Sequence, residues 1–225
     1  MRQRRKETAW KKNRRFGEVK GGRAQVKRNA VSTILHELTA PEAFDELPIL
    51  LEDRPPSGHY WPVSVEELGE ALKQLPAEDV EGLTHIWLRT PSTKMERKGV
   101  PMCSLTTGLG VRVIMLHPWP VDRTVRFGRS KPSESVRREY ERYGAAPFKQ
   151  SRAWFAKFGE EELRRFCVET LLYYGVGDHL FQLDHGSSGN RSHVKRSSSF
   201  AADYSRKVRW RDPEAGESSG AGAAR

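Results

Sequence analysis

Between Glu160 and Leu180 the chain reads EEELRRFCVETLLYYGVGDHL, and no other stretch limits its fold as strongly. Leu163, Phe166, Cys167, Leu171, Tyr174 and Asp178 recur at spacings of three and four. That period puts them on one face of a helix, pointing into a core. Glu160, Glu161 and Glu162 stand where carboxylates complement the positive N-terminal end of such a helix. The interior then carries Gly175 and Gly177, each of which costs a helix roughly 1 kcal/mol relative to Ala.

Leu171, Leu172, Gly177 and His179 fall without gaps on the frame Leu-Leu-x-His-Glu-x-Gly-His-His of short zinc peptidases. In that frame two imidazoles four residues apart bind the metal and the Glu beside the first is the general base. Farther on, Phe200-Ala201-x-x-Tyr204 is similar to the helix that often supplies a third, acidic ligand. From about Phe158 to Val208 the chain thus resembles a zincin-like metallopeptidase domain. The resemblance implies an α+β fold with a small sheet packed against a long helix. It also implies, for active members, peptide hydrolysis by zinc-activated water.

The three decisive positions, however, hold Tyr174, Gly175 and Asp178. A phenol with a pKa of about 10 is a poor neutral-pH ligand, glycine has no group to take a proton, and one carboxylate does not make a site. Near Phe200 the chain offers Ser199, Ala202 and, one place away, Asp203 instead of the acidic ligand. The chain is therefore expected to be a catalytically degenerate homologue, without catalytic residues or cofactor, retained for binding a protein partner or for structure. Zinc enters only through a rearranged site built from Asp178, His179, Asp184 or His185, and Asp203, which would make the chain an active peptidase. Otherwise Asp178 is expected to hydrogen-bond Tyr173, Tyr174 or an Arg, because burying it unpaired costs several kcal/mol. In the resemblance, Gly177 has a counterpart, explained by close packing against the sheet. Gly175 has none, and suggests relaxed selection or a kink.

Charge divides the chain. Of 39 Lys and Arg, 12 lie within Met1–Arg28 against two acids, so the net +10 resides in that arm and the rest is balanced. Residues 1–29 are expected to be a disordered basic arm, residues 30–210 the α+β domain, and residues 211–225 a disordered Gly/Ala/Ser-rich tail. Arg4, Arg5, Lys11, Lys12, Arg14 and Arg15, with Trp10 and Phe16 between or beside them, suit phosphates and bases, so nucleic acid is the alternative partner. No apolar run approaches the roughly 20 residues that span a bilayer, and the basic N-terminus is not followed by an apolar segment. No membrane association and a cytoplasmic location are the expectations.

Elsewhere the signals are local. Ser64 with Glu67 predicts a capping box opening a helix to Leu75, stapled by Val63 and Leu68. Leu83–Arg89 and Val111–Leu116 read as strands, with His85 and His117 as structural histidines. Pro118-Trp119-Pro120 ends the second strand, and Arg123, Arg126 and Arg129 punctuate a basic loop. Ser133–Tyr143 reads as a helix closed by Gly144, its charges forming a solvated face. The stretch before Asp53 reads as a Pro-rich loop, and His36-Glu37 starts a zinc motif that no second His completes. Gly186–Asn190 is a flexible loop, followed by a helix from about Ser197. Cys103 and Cys167 have no ligand spacing, and Cys167 suits a buried thiol.

Overall fold

The structure, a computed structural model, describes residues 38, 40–42, 46–91 and 102–209. The chain divides into units 1–40 and 41–225, and every element below belongs to the second. The basic arm with Arg4, Arg5, Lys11, Lys12, Arg14 and Arg15, the His36-Glu37 pair and the tail from 211 lie outside the described residues.

The strands are β1 (Ile49–Glu52), β2 (His59–Tyr60), β3 (His85–Leu88), β4 (Cys103–Gly108), β5 (Val111–Leu116), β6 (Trp119–Pro120), β7 (Thr124–Gly128), β8 (Phe148–Gln150) and β9 (Ala153–Lys157). The helices are α1 (Val65–Lys73), α2 (Ala77–Val80), α3 (Glu134–Arg142), α4 (Glu160–Phe166), α5 (Tyr173–His185) and α6 (Arg191–Arg209). This is an α+β arrangement of small sheets and a long helix, the coarse class the sequence predicts.

The main sheet has the order β1-β3-β5-β4. β1, β3 and β5 are parallel, and β4 returns antiparallel to β5. Every residue of β3 is buried, the pattern of a strand covered on both faces. β1 corrects the expected loop before Asp53. Its residues alternate between half-buried and exposed, and Pro48 and Pro55 flank it without interrupting it, as proline can at a sheet edge. α1 begins as predicted. The Glu67 amide donates to Ser64 Oγ at 3.2 Å and the Ser64 amide to Glu67 Oε2 at 2.8 Å, while Val63 and Leu68 are both buried.

Pro118 follows the end of β5 as predicted, but two further segments beyond it are strands, one of them the expected basic loop. Trp119–Pro120 pairs with β2, and the stretch around Arg126 is β7, edge of a second, antiparallel sheet ordered β7-β9-β8. Thr124-Val125-Arg126-Phe127 has a strand's alternation, which the arginines disguise. An aromatic cluster fastens this sheet to the helices. Phe166 lies 5.0 Å from Phe158, 5.3 Å from Tyr140 and 6.0 Å from Trp119, centroid to centroid.

α3 is capped by Ser133 and followed by Gly144 at φ +68°, but its charges do not all face solvent. Glu139 pairs at 2.6 Å with Arg209 of α6, whose side chain is 5% exposed. The guanidinium also donates to Tyr143 Oη at 2.9 Å, and Thr170 Oγ1 donates to Glu139 at 2.9 Å. One pair thus ties α3, α6 and the long helix.

Between α4 and α5, Cys167–Leu172 form a wider π-helical turn. Such a turn inserts a residue into the α-helical period and rotates the downstream helix by about 100°. The buried line runs through Leu163, Phe166, Cys167 and Leu171, as expected, and then continues through Leu172, Gly175, Val176 and His179. Tyr174 and Asp178 are only half-buried. They leave the core-facing stripe and turn toward α6, which starts at Arg191 rather than near Ser197. Both cysteines are free, with Cys167 buried. Burial pushes the Cys103 thiol up to about 12. Among the described residues no helix is long and apolar enough to cross a membrane.

Candidate functional site

α5 and α6 pack side by side in opposite directions, with Ser205 Oγ donating to the Glu169 carbonyl at one end of the contact. Near the other end Tyr174, Asp178, Gln182, His193, Ser197 and Ser198 surround a recess of about 130 Å³. The two ligand positions of the resemblance, Tyr174 and Asp178, therefore do share a site, four residues apart on one helix face.

The side chains at the two ligand positions are already engaged, whereas the Nε2 of His193 has no hydrogen-bond partner among the described residues. Asp178 accepts a hydrogen bond from Ser197 Oγ and another from Gln182 Nε2 at 3.2 Å. These partners replace the Tyr173, Tyr174 or Arg expected from sequence. Burial raises the Tyr174 phenol above its ordinary value of 10.0, Asp178 nearby raises it further, and a hydrogen bond with Ser198 opposes the rise. The phenol is therefore protonated at neutral pH and acts as a hydrogen-bonding group. From α6, Ser197 and Ser198 are the residues that meet Asp178 and Tyr174. The sequence reading centred on Ser199, Ala202 and Asp203 and missed both, although a helix face shared with Ala201 and Ser205 was available as a signal.

Gly175, at the general-base position, faces the sheet. A β-carbon placed on it would lie 2.7 Å from Ile114 Cγ2 and 3.2 Å from Cys103 Sγ. The side chains of β5 and β4 occupy the volume into which a larger residue would begin. Close packing therefore accounts for this glycine, in place of a kink. Gly177 is also a contact residue, but its neighbour is α6 and not the sheet: its β-carbon would meet Ala201 Cα at 2.8 Å and Tyr204 Cβ at 2.9 Å.

The other candidate ligands point elsewhere. His179 is fully buried, and its Nε2 donates to the Glu81 carbonyl at 2.9 Å. Its Nδ1 has no partner among the described residues. Burial lowers its pKa, and the nearby Arg112 acts in the same direction. His185 stacks on Phe181 at 4.3 Å and bonds the Phe181 carbonyl at 3.2 Å. Asp203 pairs with Arg206. His185 and Asp203 do line one open recess of about 590 Å³, but Lys195 and Arg196 line it too, and their charges oppose a bound cation. Asp184 is exposed. Among the described residues no three His, Cys, Asp or Glu side chains are grouped to hold a metal ion. The recess offers one carboxylate, the His193 imidazole, a phenol, hydroxyls and an amide, so one His and one Asp stand where zinc takes three or four Cys, His or carboxylate ligands.

The buried histidines set a pH dependence. His117 donates from Nδ1 to the Arg89 carbonyl at 2.9 Å, and burial lowers its pKa as it does that of His179. The unfolded chain then binds protons near 6.5 that the folded chain refuses. Stability is expected to be complete above this value and to decline as the pH falls below about 6.5. Urea titrations between pH 7.5 and 5.5 check this, with His179→Gln giving a shallower decline.

No protein family, curated protein sequence or solved structure matches this chain.

Proposed function

We propose that this chain is a degenerate zincin-like domain in which a hydrogen-bonded clamp between two helices has replaced a catalytic metal site. One observation carries the reading. Tyr174 and Asp178, at the two ligand positions of the motif, meet the hydroxyls of Ser197 and Ser198 from the following helix. A metal site of this kind joins the same two helices through its ligands. Here two side-chain hydrogen bonds join them, and the base position is closed off by Ile114 and Cys103. Hydrolysis needs an activated water and a proton acceptor beside it. Tyr174 remains protonated, Gly175 contributes nothing, and both Asp178 oxygens are engaged, so none of the three motif positions serves as that acceptor. The role is then structural or binding, without peptidase activity.

Asp178→Ala tests the clamp. It leaves Ser197 and Gln182 without their acceptor, at a cost of about 2 kcal/mol, so the melting temperature is expected to fall by roughly 4–8 °C. A chelator is expected to leave the melting temperature of the parent chain unchanged. A stoichiometric zinc that survives dialysis, is lost in Asp178→Ala, and whose removal by chelator lowers the melting temperature of the parent would overturn the proposal.

A further inference from the structure

The second sheet carries a feature that the helical clamp does not use. In an antiparallel sheet, residues directly opposite each other share a face. Arg126 of β7 lies opposite Phe155 of β9, and Phe155 lies opposite Phe148 of β8, so Arg126, Phe155 and Phe148 form one row across three strands. Val125 and Phe127 point the other way, where Phe127 meets Tyr140 edge-on at 5.0 Å. The row is therefore on the outer face. Arg126 is exposed and Phe148 is 42% exposed. The two phenylalanine rings stack on each other at 6.1 Å and 28°. Lys157 extends this face along β9, opposite Thr124.

Charge within the strands and the turns beside the row has a single sign, and the flanking acids Asp122 and Glu160 are engaged with the Thr124 amide and with Arg123. Neither Arg123–Lys131 nor Ala145–Gly159 contains an acidic residue. Arg126, Arg129, Lys131, Lys149, Arg152 and Lys157 are all exposed. None of the six is in an ion pair among the described residues, although Lys131 lies 5.7 Å from the Trp154 ring. Outside the N-terminal arm the chain has equal numbers of acids and bases, so composition does not force this concentration. Unpaired cations around two stacked rings, Phe148 exposed and Phe155 half-buried, match a polymer with phosphates on one side and flat bases on the other. Base–aromatic stacking needs a base whose face is free, and on antiparallel sheets it is a recurrent way of holding unpaired strands. In a duplex the faces are stacked inside the helix, which leaves the rings nothing to stack on.

We infer that the outer face of the β7-β9-β8 sheet binds single-stranded nucleic acid, with Phe148 and Phe155 stacking on bases and Arg126 and Lys157 holding the backbone. None of these residues belongs to the basic arm.

Fluorescence anisotropy on the full chain, using a labelled oligothymidylate of about 20 nucleotides, tests the inference. Phe148→Ala is expected to weaken binding about ten-fold. Phe148→Leu keeps the apolar bulk without the ring, and is expected to weaken it nearly as much. Arg126→Gln and Lys157→Gln are each expected to flatten the log–log salt dependence by about one. Since Phe148 is at the surface, the variants should retain the parent circular dichroism, which verifies folding. Unchanged affinity in Phe148→Ala and Arg126→Gln would overturn the inference and leave any binding to the rest of the chain. Equal affinity for a duplex of the same length, or equal competition by polyglutamate, would overturn it as well.

Discussion

Gly177→Ala is expected to destabilise the protein by about 2 kcal/mol, although alanine is the better helix former. A methyl group here would lie 2.8 Å from the Ala201 Cα and 3.1 Å from its carbonyl oxygen. Both are backbone atoms of α6, so no side-chain rotation relieves the contact and the two helices must separate. Overpacking of this kind costs up to about 3 kcal/mol, and the improved propensity returns about 1 kcal/mol. Gly189→Ala is the control, because nothing lies within 4 Å of the added methyl. Urea unfolding should show a lower midpoint for Gly177→Ala alone. Equal midpoints would mean that α5 and α6 do not approach as closely as described. Because the clamp spans the same two helices, the loss also bears on Asp178 and Ser197.

The second large effect is expected at Arg209. Replacing it with methionine leaves the Glu139 carboxylate, half removed from solvent, without its cation, and removes the Arg209 N–H that donates to Tyr143 Oη and Thr170 Oγ1. Breaking one side of a buried pair costs about 3–5 kcal/mol, and the low end applies because Glu139 retains some exposure. The pH dependence identifies the cause. Burial alone pushes the Glu139 carboxyl up, but the hydrogen bonds from Arg209 and Thr170 and the Arg209 charge hold it below its ordinary 4.5. A depressed carboxyl contributes stability above the unfolded value and loses it as the pH falls through the folded one. The difference between parent and Arg209→Met is therefore expected to be largest at neutral pH and to narrow below about pH 4.5. Glu139→Leu combined with Arg209→Met should recover much of the loss. A difference constant with pH would assign the effect to packing of the arginine stem.

The features legible in the chain before folding were local. The Ser64–Glu67 capping box needs only four residues, and the apolar runs of β3 and β5 need only six or so. Each depends on neighbours in sequence. β1, β7, β8 and β9 were missed for a common physical reason. They are short and carry exposed polar residues, Glu52 in β1, Arg126 in β7, Lys149 and Gln150 in β8 and Lys157 in β9, so their apolar signal is weak and they depend on pairing for their order. Arg209 and Glu139 looked like surface charges because their partners are 70 residues apart. The candidate site was half legible. The four-residue spacing correctly joined Tyr174 to Asp178, but assigned both to the core stripe. The π turn at Cys167–Leu172 changes the phase, and no pattern in CVETLL announces it. Ser197 and Ser198 are undistinguished in a run of three serines, and acquire meaning only when α6 lies against α5. The two glycines posed the right question, since neither suits a helix. Contacts with Ile114 and Ala201 answer it.

The central claim is that Tyr174, Asp178 and Ser198 occupy the places of three metal ligands. It is tested most directly by restoring the ligands in one chain, with Tyr174→His, Asp178→His and Ser198→Glu, and titrating with cobalt as a spectroscopic substitute for zinc. The substitutions leave Gly175 in place, so the crowding by Ile114 is not disturbed. The account expects one cobalt per chain, with the visible absorption of a tetrahedral site, and displacement by zinc, while the parent chain shows neither. A restored chain that keeps its helical circular dichroism but binds no cobalt would contradict it.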